Sequence, residues 1–255
     1  SPSYIVTPLE GIRRKVSKRT KVIYHPGVGL TDDSISIPVN LERALKADGK
    51  VGFKAEYFNN RKFEGEPVFV QYEKDIDFFG ARQHEILSNL KPGMVAVRWT
   101  SVLTSAKDDV IVFKITSDDS GFRLFVDDKI LIDRFSYQEA RVEYCRIPVK
   151  AGQKYTLRFE FAQENEGGGV SLSAVERTKS DLNALAETVK AADAIVFIGG
   201  LSPSLEGEEM PVNVSGFNKG DRTSIALPAV QTEAMKALKA TGKPVIFVML
   251  TGSAL

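Results

Sequence analysis

The sequence predicts an α+β chain of more than one domain, in which a partial, parallel-sheet α/β domain is interrupted by an antiparallel β-sandwich. Three observations predict it. Helical periodicity and fully apolar strands occupy the two ends of the chain, a period-two alternation fills the middle from about Val51 to Arg177, and turn residues punctuate that middle about every ten positions. The predicted divisions are residues 1–40 and 179–255, two parts of one α/β domain, and residues 41–178, the inserted sandwich.

The first part begins with a helix. Thr7 can cap it, Pro8 suits the first helical position, Glu10 completes a capping box, and Leu9, Ile12 and Val16 share one face. Lys21–His25 (KVIYH) reads as a short buried strand stopped by Pro26-Gly27. In the middle, Phe53, Ala55 and Tyr57 alternate, as do Val95, Val97 and Trp99, then Val110 and Val112, then Phe122, Leu124 and Val126. Lys129–Ile132, Val142–Val149, the run Tyr155, Leu157, Phe159, Phe161, and the run Val170, Leu172, Ala174 complete the series. The turn signals Lys91-Pro92-Gly93, Asp118-Asp119-Ser120-Gly121, Asp127-Asp128 and Ala151-Gly152 separate the runs, and Asp118-Asp119-Ser120-Gly121 suits a hairpin turn. Most of the aromatic residues lie here, where a two-sheet core needs them.

At Ser180 the helical period returns. Leu182, Leu185, Val189 and Ala192 form one stripe, and Ala194–Gly200 (AIVFIGG) is an apolar run suited to a parallel strand covered on both faces. A long loop, Leu201–Ala226, leads to a second helix from about Pro228 to Ala240, with Gly242 past its end, and then to the apolar strand Val245–Leu250. With the sandwich set aside, the ends read helix, strand, helix, strand, helix, strand, which is two βαβ crossovers. Three strands make a small sheet, and Val245–Leu250 has no later element to cover it, so the domain is expected to continue beyond Leu255.

Composition narrows the function classes. Lys and Arg number 34 against 33 Asp and Glu, so bulk charge does not recruit nucleic acid or an acidic membrane. The apolar runs are too short to span a bilayer. The single cysteine, Cys145, excludes an internal disulfide and reads as a small core residue on a strand. His25 and His84 lack metal-ligand spacing, and neither a metal site nor a cofactor is predicted.

The residues able to carry chemistry gather in Leu201–Ala226, after the carboxyl end of a parallel strand, where open α/β sheets bind ligands. Glu206, Glu208 and Glu209 lie close together there, and crowded carboxylates raise one another's pKa toward that of a general acid. Arg222, beside Asp221, could anchor the loop through a bidentate pair with an acid. A solvated acidic loop held by a salt bridge is the alternative reading of the same residues. In the sandwich, Asp118-Asp119 reads as turn chemistry or as a calcium ligand pair. Gln163–Gly169 reads as a polar tip or a loop over a sugar, and Trp99, Tyr57 and Phe58 as core or as stacking rings.

The AADAIVFIGG strand, the LEGEE loop, Gly220-Asp221-Arg222 and the VIFVMLTGSA strand resemble the second, α/β-sandwich domain of glycoside hydrolase family 3, and Ser3–Glu10 is similar to the start of that domain. The resemblance covers roughly the first forty and last seventy-five residues. It implies an exo-acting, retaining β-glycosidase, most simply a β-glucosidase, acting on a β-linked oligosaccharide or glucoside. A Glu of the long loop would be the general acid/base and an Asp on a preceding barrel domain the nucleophile. Carried onto this chain, the acid/base is Glu206, with Glu208 as its rival; the extra residues Met210–Lys219 blur the register among Glu206, Glu208 and Glu209. The nucleophile's Ser-Asp-Trp type motif has no counterpart, since Arg98 precedes Trp99, the only tryptophan. A retaining glycosidase needs two carboxyls about 5–5.5 Å apart, so this chain alone is expected to be inactive.

The inserted region resembles the protective-antigen-type (PA-14) domain. Gly52–Asn59 (GFKAEYFN), Val97–Leu103 (VRWTSVL), Ser117–Asp133 and Ala151–Gln163 arrive in that family's order. The resemblance implies carbohydrate contact or a narrowing of the substrate entrance; a glycan-binding module and an insert that makes a homodimer contact are the other readings. Family habit places such enzymes in the periplasm or outside the cell.

Overall fold

The computed structural model describes residues 6–79, 90, 95–118, 120–136, 141–163, 168–202, 205 and 214–252. In chain order the elements are helix α1 (Pro8–Lys15), strands β1 (Ser34–Pro38), β2 (Leu45–Ala47), β3 (Lys50–Val51), β4 (Phe53–Phe58), β5 (Phe69–Glu73), β6 (Ile76–Phe78), β7 (Ala96–Thr104), β8 (Asp109–Asp118), β9 (Ser120–Val126), β10 (Lys129–Arg134), β11 (Arg141–Val149), β12 (Lys154–Gln163) and β13 (Gly169–Lys179), helix α2 (Leu182–Val189), strand β14 (Ile195–Gly200), the short pair β15 (Phe217–Asn218) and β16 (Asp221–Arg222), helix α3 (Ala229–Ala240) and strand β17 (Val245–Leu250). The chain divides into two compact units. One runs from Pro38 to Glu176, and the other comprises the described parts of Tyr4–Ile37 and Arg177–Leu255.

From β2 to β13 the strands of the sandwich pair in antiparallel registers. One sheet has the order β1-β13-β8-β11, with β6 also on β13; the other has the order β10-β9-β12-β7-β2-β3, with β4 on β7 and β5 on β4. Period-two side-chain alternation decides what lies between the sheets. Tyr57, Trp99, Phe122, Phe159 and Phe161 of the larger sheet meet Phe78, Phe113, Ile115 and Val170 of the smaller, all at 1% exposure or less. Burying each such side chain contributes about 1.5–3 kcal/mol. Trp99 packs against Phe78, Phe159 and Phe161 with ring centroids 5.9–6.4 Å apart, within the range of favourable tilted ring contacts. Cys145 lies in this core and is 8% exposed, and burial pushes its thiol pKa up.

The same alternation sends charge to the outer face of the larger sheet. Strand register sets Glu56 opposite Arg98, Arg98 opposite Glu160, Glu160 opposite Arg123 and Arg123 opposite Asp133, a row of alternating sign across five strands. Glu160, between Phe159 and Phe161, is 3% exposed because arginine stems cover it. Arg98 Nε lies 3.3 Å and Arg123 Nε 3.4 Å from its carboxylate, and Arg158 Nη1 donates to it as well.

The other unit is held by local signals that the sequence states openly. Thr7 Oγ1 accepts from Glu10 N at 3.2 Å to cap α1, whose Glu10 carboxylate pairs with Arg14. Asp181 caps α2 by accepting from Asn183 N and Ala184 N. Strands β14 and β17 pair in parallel, Ile195 with Val245 through Gly200 with Leu250. Leu185, Ile195, Phe197, Ala234 and Leu238 form the core beneath them. On the opposite face Val196, Ile246 and Val248 are 37–54% exposed.

The strand expected at Lys21–His25 does not form. That segment joins no ladder, and Ile23 and Tyr24 are 42% and 62% exposed. Pro26 offers no N–H, and Gly27 turns the backbone to φ +75°, so the chain reaches the small core only at Val28, as irregular backbone. Among the described residues the parallel sheet therefore has two strands, β14 and β17.

Candidate functional site

The candidate site begins where β14 ends. Gly200 has φ +131°, and a Cβ on it would lie 2.0 Å from the Leu250 carbonyl oxygen, so no side chain fits there. Leu201 N donates to Leu250 O at 2.8 Å, which carries the chain one residue further along β17. On the other side of Gly200 stands Gln231, in the first turn of α3. Its Oε1 accepts from Gly200 N, and its Nε2 donates to Gly200 O and to Leu30 O, all at 2.8 Å. Four separate stretches of chain, at Leu30, Gly200, Gln231 and Leu250, thus meet at the base of the loop.

The loop returns through the β15–β16 hairpin. Lys219 and Gly220, at φ +50° and +90°, make its turn, and Phe217 pairs with Arg222. Arg222 Nη2 donates to the carbonyls of Ser224, at 2.6 Å, and Ala226, at 3.1 Å, which braces the approach to α3. Asp221 is exposed at the start of β16. Glu206, Glu208 and Glu209 lie outside the described residues.

The sandwich places its aromatic candidates inside. Trp99 and Tyr57 are fully buried in the core, and Phe58, 2% exposed, packs in a separate cluster with Phe63, Ala96 and Ala162, so none of these rings presents a face to a sugar. Sequence reasoning missed what holds two of them. Glu73, 6% exposed, accepts from Trp99 Nε1 at 2.9 Å, from Gln71 Nε2 at 2.6 Å and from the Tyr57 hydroxyl. Gln163 is 1% exposed and donates to Gly168 O at 3.3 Å. Ser117 Oγ donates to Ser120 O at the β8–β9 connection, where the chain passes from the smaller sheet to the larger, so the hairpin expected at Asp118–Gly121 does not form. Among the described residues no three His, Cys, Asp or Glu side chains gather as a cation would require, and no helix is long and apolar enough to cross a membrane.

Residues 49–183 match the PA14 domain family. The chain belongs to that family. The PA14 match covers the sandwich, and likeness to known proteins extends beyond it. A xylan 1,4-beta-xylosidase of Xylanibacter ruminicola is 34% identical over 259 residues, covering 100% of this chain and 29% of that protein. A beta-glucosidase of Rhizobium radiobacter is 24% identical over 265 residues, covering 98% of this chain and 29% of that protein. The crystal structure of a beta-glucosidase from Kluyveromyces marxianus superposes with a TM-score of 0.60 at 21% identity, covering 98% of this chain and 31% of that one. Both units of this PA14 chain therefore recur, in one order, within proteins more than three times its length.

Proposed function

We propose that this chain is a piece of a retaining β-glycosidase that removes terminal β-linked sugars, a β-glucosidase or β-xylosidase, with the PA14 sandwich shaping the substrate entrance. The observation that carries the reading is the alignment of the chain, end to end, with a protein named xylan 1,4-beta-xylosidase. The parallel pair β14–β17, with its long acidic loop leaving the carboxyl end, supports an α/β sandwich domain completed by further elements of a longer chain. In this reading Glu206 protonates the leaving-group oxygen and then, as a carboxylate, activates water; Glu208 is the rival for that role. The nucleophilic carboxylate comes from a barrel domain of the same polypeptide, and the enzyme works in the periplasm or outside the cell.

The test uses the longer enzyme with chromogenic β-glucoside and β-xyloside. Glu206→Gln should lower kcat by about a hundredfold or more while leaving the fold intact. Full activity in that variant, with loss in Glu208→Gln, moves the role to Glu208. Loss in neither excludes both.

A further inference from the structure

Gln231 is a buried polar side chain to which the function above assigns nothing. It is 2% exposed, on the same face of α3 as the buried Ala234 and Leu238. It makes three hydrogen bonds of 2.8 Å, and all three go to backbone at the base of the loop. With Gly200 it exchanges two bonds, N–H to Oε1 and Nε2 to the carbonyl, much as a neighbouring strand would on the edge opposite β17. Gly199 makes room for it, since a Cβ there would lie 2.6 Å from Gln231 Oε1. The third bond holds Leu30, from the far end of the sequence, to the same point.

We propose that Gln231 is a positioning residue: it fixes the direction in which the chain leaves β14 at Gly200 and Leu201. The proposal rests on the glycosidase reading for its catalytic consequence, but its structural part can be measured in this chain alone. Gly200 tolerates no Cβ, and Leu201 is tied to Leu250. The amide on α3 is the side chain that bonds both the N–H and the carbonyl of Gly200, so rotating or removing it takes both partners away from that residue.

Two substitutions separate positioning from simple filling. Gln231→Leu removes all three bonds. In this chain, amide hydrogen exchange should then speed by about tenfold or more at Gly200, the cost of one lost buried bond, and should also speed at the Phe217–Arg222 hairpin, with the sandwich strands unchanged. Gln231→Glu retains the acceptor for Gly200 N–H. When ionised it faces the Gly200 and Leu30 carbonyls with no donor; when protonated it regains one. Protection at the loop base should therefore recover as pH is lowered, relative to the wild type at each pH. In the longer enzyme, Gln231→Glu should lower kcat by about a hundredfold with KM nearly unchanged, and the loss should shrink on the acid side.

Exchange that speeds equally along the whole of Ile195–Phe197 and Val245–Leu250 would make Gln231 a core filler and overturn the proposal. So would a hairpin unaffected in both variants. Where Gln231→Leu does not fold, the pH response of Gln231→Glu decides. A wild-type enzyme without glycosidase activity would sink the glycosidase reading alone, because the exchange data still decide what Gln231 does.

Discussion

Trp99 donates its indole N–H to the carboxylate of Glu73 at 2.9 Å inside the sandwich core. The Tyr57 hydroxyl donates to the other oxygen of the same carboxylate. Both rings are fully buried, so their polar atoms have no recourse to water. Glu73→Leu should destabilise the sandwich by about 2–5 kcal/mol, the cost of two orphaned donors. Glu73→Gln, which keeps one acceptor oxygen, should cost less. Urea unfolding followed by Trp99 fluorescence measures both; equal losses in the two variants would remove the hydrogen bonds from the explanation.

Glu160 presents a charged version of the same problem. Three arginines, Arg98, Arg123 and Arg158, share its carboxylate, and its side chain is 4% exposed. Glu160→Ala should cost about 3–5 kcal/mol, because it leaves crowded cations without their counter-charge. Asp128 is also an ion-pair partner of Arg158, at 3.6 Å, but its side chain is 91% exposed. Asp128→Asn, which removes the charge but keeps a residue type that tolerates the φ of +61° at this turn, should change stability by about 0.5 kcal/mol or less. Thermal unfolding of the two variants side by side checks the contrast.

Glycine positions in the sandwich should divide by what surrounds them. Gly152 has φ +74° and open space around a Cβ, so Gly152→Ala should cost about 1–2 kcal/mol of backbone strain alone. Gly52 has φ +97°, and a Cβ would lie 2.1 Å from Glu73 O. Gly52→Ala must also move β5 away from β4, and a loss of about 3 kcal/mol or more is expected. A similar melting temperature for the two variants would contradict the close approach.

Cys145 should resist thiol reagents in the folded protein and react fully in urea. Burial raises its folded pKa, so the thiol stays neutral in the native state at pH values where the unfolded chain ionises. Its contribution to stability is complete below the unfolded thiol pKa and declines as pH rises through the range up to the folded value. Cys145→Ala should flatten that alkaline decline, and denaturant titrations on both sides of the thiol range would detect it.

Much of this structure was legible in the sequence, for a definite reason. Where one face of a strand is buried, as at Phe53, Ala55 and Tyr57 or at Phe159 and Phe161, a period of two is imposed on the residues themselves. Caps are equally local: Thr7 and Asp181 bond within three residues. What was not legible has the opposite property. Lys21–His25 has a strand's composition, but a strand needs an edge to pair with, and Pro26-Gly27 diverts the chain before it reaches one. Glu160 reads as a solvent-facing charge, and its burial depends on arginines 37 and 62 residues away on neighbouring strands. Gln231 reads as an ordinary polar residue on a helix, and its partners are 31 and 201 residues distant.

The segments that enter and leave the sandwich are stitched to each other. Ser180 donates to the Asp33 carbonyl through both its N–H and its hydroxyl, and Arg177 and Lys179 reach the carboxylates of Asp32 and Asp33. A polypeptide that departs and comes back at one doorway can lose or acquire everything beyond it with little disturbance to the house. A two- or three-residue turn could close the gap between Asp33 and Ser180. The sandwich is then a cassette, free to be exchanged over evolutionary time or by design while the surrounding chain keeps its path.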